Sequence, residues 1–370
     1  MQPRDLSEHV EYVAGDGIEE VARDLGMDPE ELITLSSNEN PLGPSQAAID
    51  AIETAAQNAH LYPKAAHADL RSEIAELRDV SSEQVWLGNG GDGALDYLAR
   101  ATLEPGDAVL SPTPGFAYYG MSARFHHGDV REYQIEKADD FQLTADTVLS
   151  AYDGERVVYL TSPNNPTGGR FTLDAVEAIA ANTAEETLLV VDEAYAEFSD
   201  APSATTLLEG SPGGQARDDV AVLRTFSKAY GLAGLRLGYA VVPASWASAY
   251  ARVNTPFAAS ELACRAGLAA LEEMAHVERS VALVEESRER LRTELNTETW
   301  ASHGNFVLAD VGDASAVASA AREAGVIVRD CSSFGLPGCV RISCGTAEET
   351  TRAIDVLNDV LETIPAEVQP

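Results

Sequence analysis

The sequence predicts an α/β fold built on a mainly parallel, open sheet. Two observations carry this. Apolar runs bounded by turn residues recur along the first two thirds of the chain, and helical patterns separate several of them. The runs lack a polar alternate face, as expected of strands buried on both sides. In order they are QVWLG (84–88), DAVLSP (107–112), RVVYLTSP (156–163), TLLVVDE (187–193), VAVLRTFS (220–227) and RLGYAVVP (236–243). GALDYLARATL (93–103) and LDAVEAIAANT (173–183) are the clearest intervening helices.

After Pro256 the character changes. Residues 258–296 are rich in Ala, Glu, Leu and Arg and predict long helices. Short strands follow in NFVLAD, GVIVRD and CVRISCG, interleaved with helices at 313–324 and 346–362. This is a smaller α+β domain. The segment before Asn40 has too little apolar material to fold alone and is expected to pack on it. The expected division is a large domain at 40–256 and a small one made of 1–39 and 257–370.

Composition narrows the function. The chain has 370 residues and a net charge of −35, with acidic residues spread throughout. Such a surface repels nucleic acid, so no nucleic-acid partner is expected. It also repels itself, which points to a salt-rich cytoplasm where the Debye length shrinks. No run of eighteen apolar residues occurs and the first residues lack an apolar leader core, so a cytoplasmic protein without a membrane span is expected. The four cysteines form no CxxC pair and are expected to be reduced. His126-His127 is the one histidine cluster, and no metal site is expected.

Ligands of open α/β sheets sit outside the carboxyl ends of the strands, and four such ends carry unusual groups. GNGGDGAL (88–95) joins a strand to a helix, so the amides of Gly91 and Asp92 can receive a phosphate. The same glycines fit G-x-G-x-x-G, the mark of a dinucleotide-binding oxidoreductase. That reading needs a carboxylate ending the next strand, where Ser111-Pro112-Thr113 offers none. SPNNPTGG (162–169) is either a tight turn or a rigid loop aiming the Asn165 amide at a ligand. VVDEAY (190–195) puts Asp192 at a strand end, where a buried carboxylate needs a cationic partner, with Tyr195 after it; a helix cap is the alternative. TFSKAYGLAGLRLG (225–238) gathers Ser227, Lys228 and Arg236. Only three lysines occur in the chain, at 64, 137 and 228. A partly desolvated lysine at a sheet edge has a lowered pKa and serves as a nucleophile; an exposed loop lysine is the plain alternative.

Taken together the four ends describe one ligand. It has a phosphate, a ring nitrogen wanting a carboxylate, a ring hydroxyl wanting donors, and a carbonyl that condenses with an amine. Pyridoxal 5′-phosphate has all four.

These motifs, with SSNENPLGP (36–44), LYPK (61–64), GNFVL (304–308), VRDCSSFG and GCVRISCGT, resemble those of the fold-type I pyridoxal-phosphate aminotransferases across essentially the whole chain. Within them the sequence is most similar to the histidinol-phosphate aminotransferases of salt-loving archaea. The resemblance implies a large domain with a mainly parallel seven-stranded sheet and a smaller α+β domain. It implies that Lys228 links to the cofactor and later moves protons, that Asp192 pairs with the ring nitrogen, and that Asn165 and Tyr195 bond the ring hydroxyl. Ser227, Arg236 and the Gly91 and Asp92 amides would hold the phosphate. Phe116 would stack on the ring, where the family often has Tyr, and Gly93 stands where the family usually has Glu. Tyr62 would reach the phosphate from a partner subunit, which implies a homodimer with shared sites. Arg329 and Arg341 resemble the arginines that grip the substrate, with Tyr12, Asn40 and Asn305 as lesser contacts. The implied reaction is amino transfer from L-histidinol phosphate to 2-oxoglutarate, a step of histidine biosynthesis. Rivals on the same fold are an aromatic aminotransferase and a phosphothreonine decarboxylase.

Overall fold

The computed structural model describes residues 6, 7, 9, 11, 12, 17–64, 66–209 and 216–364. Eleven strands among them form two sheets: β1 (Ile33–Leu35), β2 (Val85–Asn89), β3 (Ala108–Thr113), β4 (Asp129–Gln134), β5 (Val157–Thr161), β6 (Leu188–Asp192), β7 (Val220–Thr225), β8 (Leu237–Val241), β9 (Phe306–Asp310), β10 (Val326–Asp330) and β11 (Cys339–Ser343). The large sheet has seven strands in the order β2-β8-β7-β6-β5-β3-β4, and the small one runs β1-β10-β11-β9.

The large sheet is parallel except for β8, which is antiparallel to both β2 and β7. An antiparallel strand enters the sheet at the edge where its parallel neighbours end. Residues just before β8 therefore meet residues just after β2, β5, β6 and β7. This topology alone brings Arg236 to the strand ends that carry Asn165, Asp192 and Lys228.

Both faces of the sheet are buried, as the apolar runs predict. Val157 and Tyr159 of β5, with Leu188 and Val190 of β6, belong to one apolar cluster that includes Trp86 and Tyr119. Val158, Leu160, Leu189 and Val191 face the other way, into a core continuous with β9 and β11. The period-two alternation extends to the polar strand ends. Asp192 shares a face with Val190, while Glu193 shares one with Val191. Glu193 meets buried Arg224 of β7 at 2.7 Å, and Arg224 also holds Glu197 at 2.8 Å. The cation expected for Asp192 is thus found on its neighbour, Glu193.

Two strands escape the sequence pattern. β4 is an edge strand whose apolar side chains are just Val130 and Tyr133. β1 has three residues and pairs in parallel with Val326–Val328 of β10. The helix Ile18–Leu25 buries Val21 and Ala22 in a small cluster with Leu32 and Ile327. All four cysteines are buried and unbridged. No helix among the described residues is long and apolar enough to cross a membrane.

Candidate active site

The strand ends of the large sheet face residues of the small sheet across a cavity of about 440 Å³. Four groups of expected site residues line it.

The first group forms an anion cradle. The helix Gly90–Thr102 starts directly after β2, and no side chain caps its amino end. Gly91 and Asp92 of its first turn line the cavity beside Ser227 and Arg236. Free amides at a helix start attract an anion. Arg236 donates to Asp92 Oδ2 at 2.7 Å. Gly90 has φ +74°, and a Cβ there would lie 2.5 Å from an Arg236 guanidinium nitrogen. At Gly238 the clash is with backbone: a Cβ would stand 2.5 Å from both Gly90 C and Gly91 N. Gly238→Ala is therefore expected to push the helix start off β8. Overpacking of this kind costs about 1–3 kcal/mol, read as a lowered urea midpoint with an unchanged slope.

The second group is the amine. Lys64 and Lys137 pair with carboxylates, at 2.5 Å to Asp69 and 2.6 Å to Asp310. Lys228 instead donates from Nζ to the Ser37 carbonyl at 3.2 Å and lies 5.7 Å from the centre of the Tyr195 ring. Burial, reinforced by the nearby Arg341 charge, pulls its pKa down to about 8.

Asp192 is the third. It is buried, and burial pushes its pKa up to about 6. The sequence calls for a cationic partner; among the described residues its bonds come instead from neutral donors. Tyr119 donates its hydroxyl to Oδ2 at 2.6 Å, and the Ala194 amide donates to Oδ1 at 3.0 Å. A carboxylate so placed can hold a protonated ring nitrogen that supplies the missing charge. Tyr195 sits beside it, its hydroxyl accepting from Asn38 Nδ2 at 3.1 Å. Phe116 lines the cavity edge-on to Tyr119, with ring centres 5.6 Å apart.

The fourth group is a pair of guanidiniums. Arg329 of β10 and Arg341 of β11 are directly opposite in antiparallel register, so both side chains leave the same face. Arg341 is buried and donates to Asn165 Oδ1 and to the Ser36 carbonyl, while its Nε has no partner among the described residues. Arg329 donates to Ser333 Oγ at 3.3 Å. Like charges directly opposed repel each other, and an anion between them removes the penalty. Tyr12 lines the same end and meets Phe116 edge-on at 6.2 Å.

Three expected residues lie elsewhere. Asn40 does not line the cavity; its amide donates to the Ala229 carbonyl at 2.9 Å and to Ser280 Oγ at 3.0 Å, pinning the residue next to Lys228. Asn305 is fully buried behind the wall and donates to the Asn38 carbonyl at 3.0 Å. Tyr62 is 85% exposed, outside this cavity, and packs on Phe257 at 5.0 Å. Asn38 and Tyr119, by contrast, were not among the expected residues. Asn38 lies two residues before Asn40 in SSNENP, and the sequence alone gives no reason to choose it. Tyr119 lies three after Phe116, the one available hint.

A half-buried lysine, a buried carboxylate and an anion cradle at the strand ends of one α/β sheet are the groups a pyridoxal-phosphate aminotransferase of class I or II uses. The chain belongs to that family, whose model matches residues 30–357. Within the class it stands with the histidinol-phosphate aminotransferases. That of Haloarcula marismortui is 65% identical over 366 residues, spanning 99% of this chain and all of the relative. That of Halobacterium salinarum is 65% identical over 98% of this chain and all of the relative. Among solved structures, the histidinol-phosphate aminotransferase from Sinorhizobium meliloti in complex with pyridoxal-5′-phosphate superposes with a TM-score of 0.87 at 26% identity, covering 98% of each chain.

Proposed function

We propose that this enzyme transfers the amino group of L-histidinol phosphate to 2-oxoglutarate, giving imidazole-acetol phosphate and L-glutamate. The observation that carries the reading is the Arg329–Arg341 pair facing, across one cavity, a lysine whose amine bonds a carbonyl, that of Ser37. The residues present fit pyridoxal phosphate: an uncapped helix start for its phosphate, a cation-free buried carboxylate for its ring nitrogen, and a desolvated amine for its aldehyde. Bound there, it supplies an electron sink and the carbonyl to which the amino group is handed.

The protein's own groups do the rest. Gly91 and Asp92 amides, Ser227 and Arg236 would hold the phosphate. Asp192 would keep the ring nitrogen protonated. Tyr195 receives a hydrogen bond from Asn38, so its own proton is free for the ring oxygen, which Asn165 would also support. Phe116 would stack on the ring. Lys228 Nζ, with its pKa lowered to about 8, would take the proton from the substrate Cα and deliver it to the carbon that carried the cofactor's carbonyl. Arg341 and Arg329 bind the phosphate of the donor in one half-reaction and a carboxylate of the acceptor in the other. One bidentate fork suits both anions, so a single site serves both halves in turn. Tyr12 closes the same end, and Asn40 and Asn305 shape the wall from behind it.

The site draws on both sheets, which supports a two-domain reading with 40–256 as the cofactor-binding domain and 1–39 with 257–370 as the small one; the outermost residues of the latter lie outside the described ones. Exposed Leu61, Tyr62 and Phe257 form an apolar surface suited to a second copy of the chain, through which Tyr62 reaches the partner's phosphate cradle.

The test is a half-reaction. Histidinol phosphate mixed with the loaded enzyme should bleach its visible absorbance within one turnover, faster than aromatic amino acids do. Carbon dioxide release from phosphothreonine would overturn the assignment. Arg341→Ala is expected to lower kcat/KM for histidinol phosphate about 10- to 100-fold, the worth of one charged hydrogen-bonding group. A donor without phosphate should lose less.

A further inference from the structure

We propose that Tyr119 is a positioning residue that orients Asp192 and holds it in its charged form, with Thr161 setting the direction of the tyrosine hydroxyl. This deepens the cofactor reading above and rests on it.

Thr161 and Asp192 are register partners across β5 and β6, so their side chains leave the same face. Tyr119 reaches that face from the helix Tyr118–Phe125. Its hydroxyl lies 2.6 Å from Asp192 Oδ2 and 2.8 Å from Thr161 Oγ1. The ring is fully buried and stacks on Tyr159, with centres 4.6 Å apart and planes 13° off parallel. It cannot swing away, and the burial keeps competing water from its hydroxyl.

Proton counting fixes the direction of the chain. An ionised carboxylate only accepts, and each hydroxyl has one proton. Tyr119 must therefore donate to Asp192, and Thr161 must donate to Tyr119. A hydroxyl that accepts one bond donates its own more strongly. With Asp192 charged, the chain delivers the Tyr119 proton to the carboxylate and leaves no proton unused.

The charge needs that support. Burial drives Asp192 toward its neutral form, and the nearby carboxylates of Asp92 and Glu193 add to the push. The opposing influences on Asp192 are the Tyr119 hydroxyl and the Ala194 amide. Lys228 and Arg236 share the cavity, and Tyr195 feels the Asp192 charge. Remove the Tyr119 hydroxyl and burial prevails.

Infrared titration of the cofactor-free full chain tests this directly. The protonated Asp192 carbonyl band is identified by its loss in Asp192→Asn. In the unaltered protein it should titrate near pH 6. Tyr119→Phe, which keeps the ring stack, should raise the midpoint by about one pH unit or more. Thr161→Val should raise it by less. An unchanged midpoint in Tyr119→Phe overturns the proposal.

Equilibrium dialysis with pyridoxal phosphate gives a second reading. The affinity ratio of unaltered protein to Tyr119→Phe should be about twofold or more at pH 7 and shrink toward one at pH 9, where Asp192 ionises in both. A ratio equal at both pH values marks a merely structural role and also overturns the proposal. If the unaltered protein binds no pyridoxal phosphate, the cofactor reading fails, while the carboxyl titration still decides the role of Tyr119.

Discussion

Lys228→Ala is expected to abolish amino transfer, with a loss of at least about 10⁴-fold, because one side chain supplies both the covalent attachment and the proton shuttle. The fold should survive. Lys228 donates a hydrogen bond to the Ser37 carbonyl and, among the described residues, forms no ion pair with a carboxylate. Pyridoxal phosphate should still dock, since the cradle at Gly91, Asp92, Ser227 and Arg236 is untouched, but borohydride should no longer fix it to the protein. Retained turnover would refute the assignment. The unaltered protein offers a pH test of the same amine. Burial lowers its pKa from 10.5 to about 8, which favours the neutral form. Capture of pyridoxal phosphate by the cofactor-free protein should therefore rise with pH and level off above about 8. At pH 8 about half the amine is free base, against well under 1% for an ordinary lysine. A rate still climbing at pH 10 would mean that Nζ is solvated.

Much of the fold was legible because the large sheet is buried on both faces. Runs such as LLVVD have no polar alternate, and that is how β5, β6 and β7 announce themselves. β4 was not legible, because an edge strand keeps Asp129, Arg131 and Glu132 in water and reads as loop. β1 was not legible because three residues carry no period; β10 holds it in place.

The site divides along the same line. Asp192 ends an apolar run, and Asn165, Lys228 and Arg236 lie within a few residues of one, so their positions are marked in the sequence. Asn38 and Tyr119 act through partners 157 and 73 residues away, and nothing local records such pairings. In TPGFAYY two adjacent tyrosines face different carboxylates: Tyr118 bonds Asp96 at 3.0 Å and Tyr119 bonds Asp192. In SSNEN two asparagines compete, and Asn38 takes the cavity while Asn40 ties down the loop behind Lys228. The opposition of Arg329 and Arg341 is a matter of strand register. Residue spacing cannot give register when the strands are joined by a loop rather than a tight turn.

Lowering salt is expected to unfold the protein with its chemistry intact up to the transition. Sixty acidic residues face twenty-five basic ones, so even perfect pairing leaves thirty-five negative charges uncompensated. The described surface shows where they crowd. On the helix Ala347–Thr363, Asp355, Asp359 and Glu362 are exposed and follow one another along one side. On Met274–Glu294, Glu278, Glu285 and Glu286 are exposed, while Glu289 pairs with Arg292 at 3.8 Å and Glu294 with Arg290 at 2.8 Å. Each like-charge contact costs a few tenths of a kcal/mol, and the long-range sum over the surface is larger. At about 1 M salt the Debye length is roughly 3 Å and neighbours scarcely sense each other; at about 10 mM it is roughly 30 Å and every charge senses the whole molecule. The thermal midpoint should therefore fall steeply as KCl is diluted over that range, and NaCl should protect equally well, because screening depends on ionic strength and not on the cation. Asp355→Lys combined with Asp359→Lys should shift the transition to lower salt. A midpoint that stays constant from molar to millimolar KCl would show that the charges are compensated locally, and would remove the physical link between this composition and a salt-rich environment.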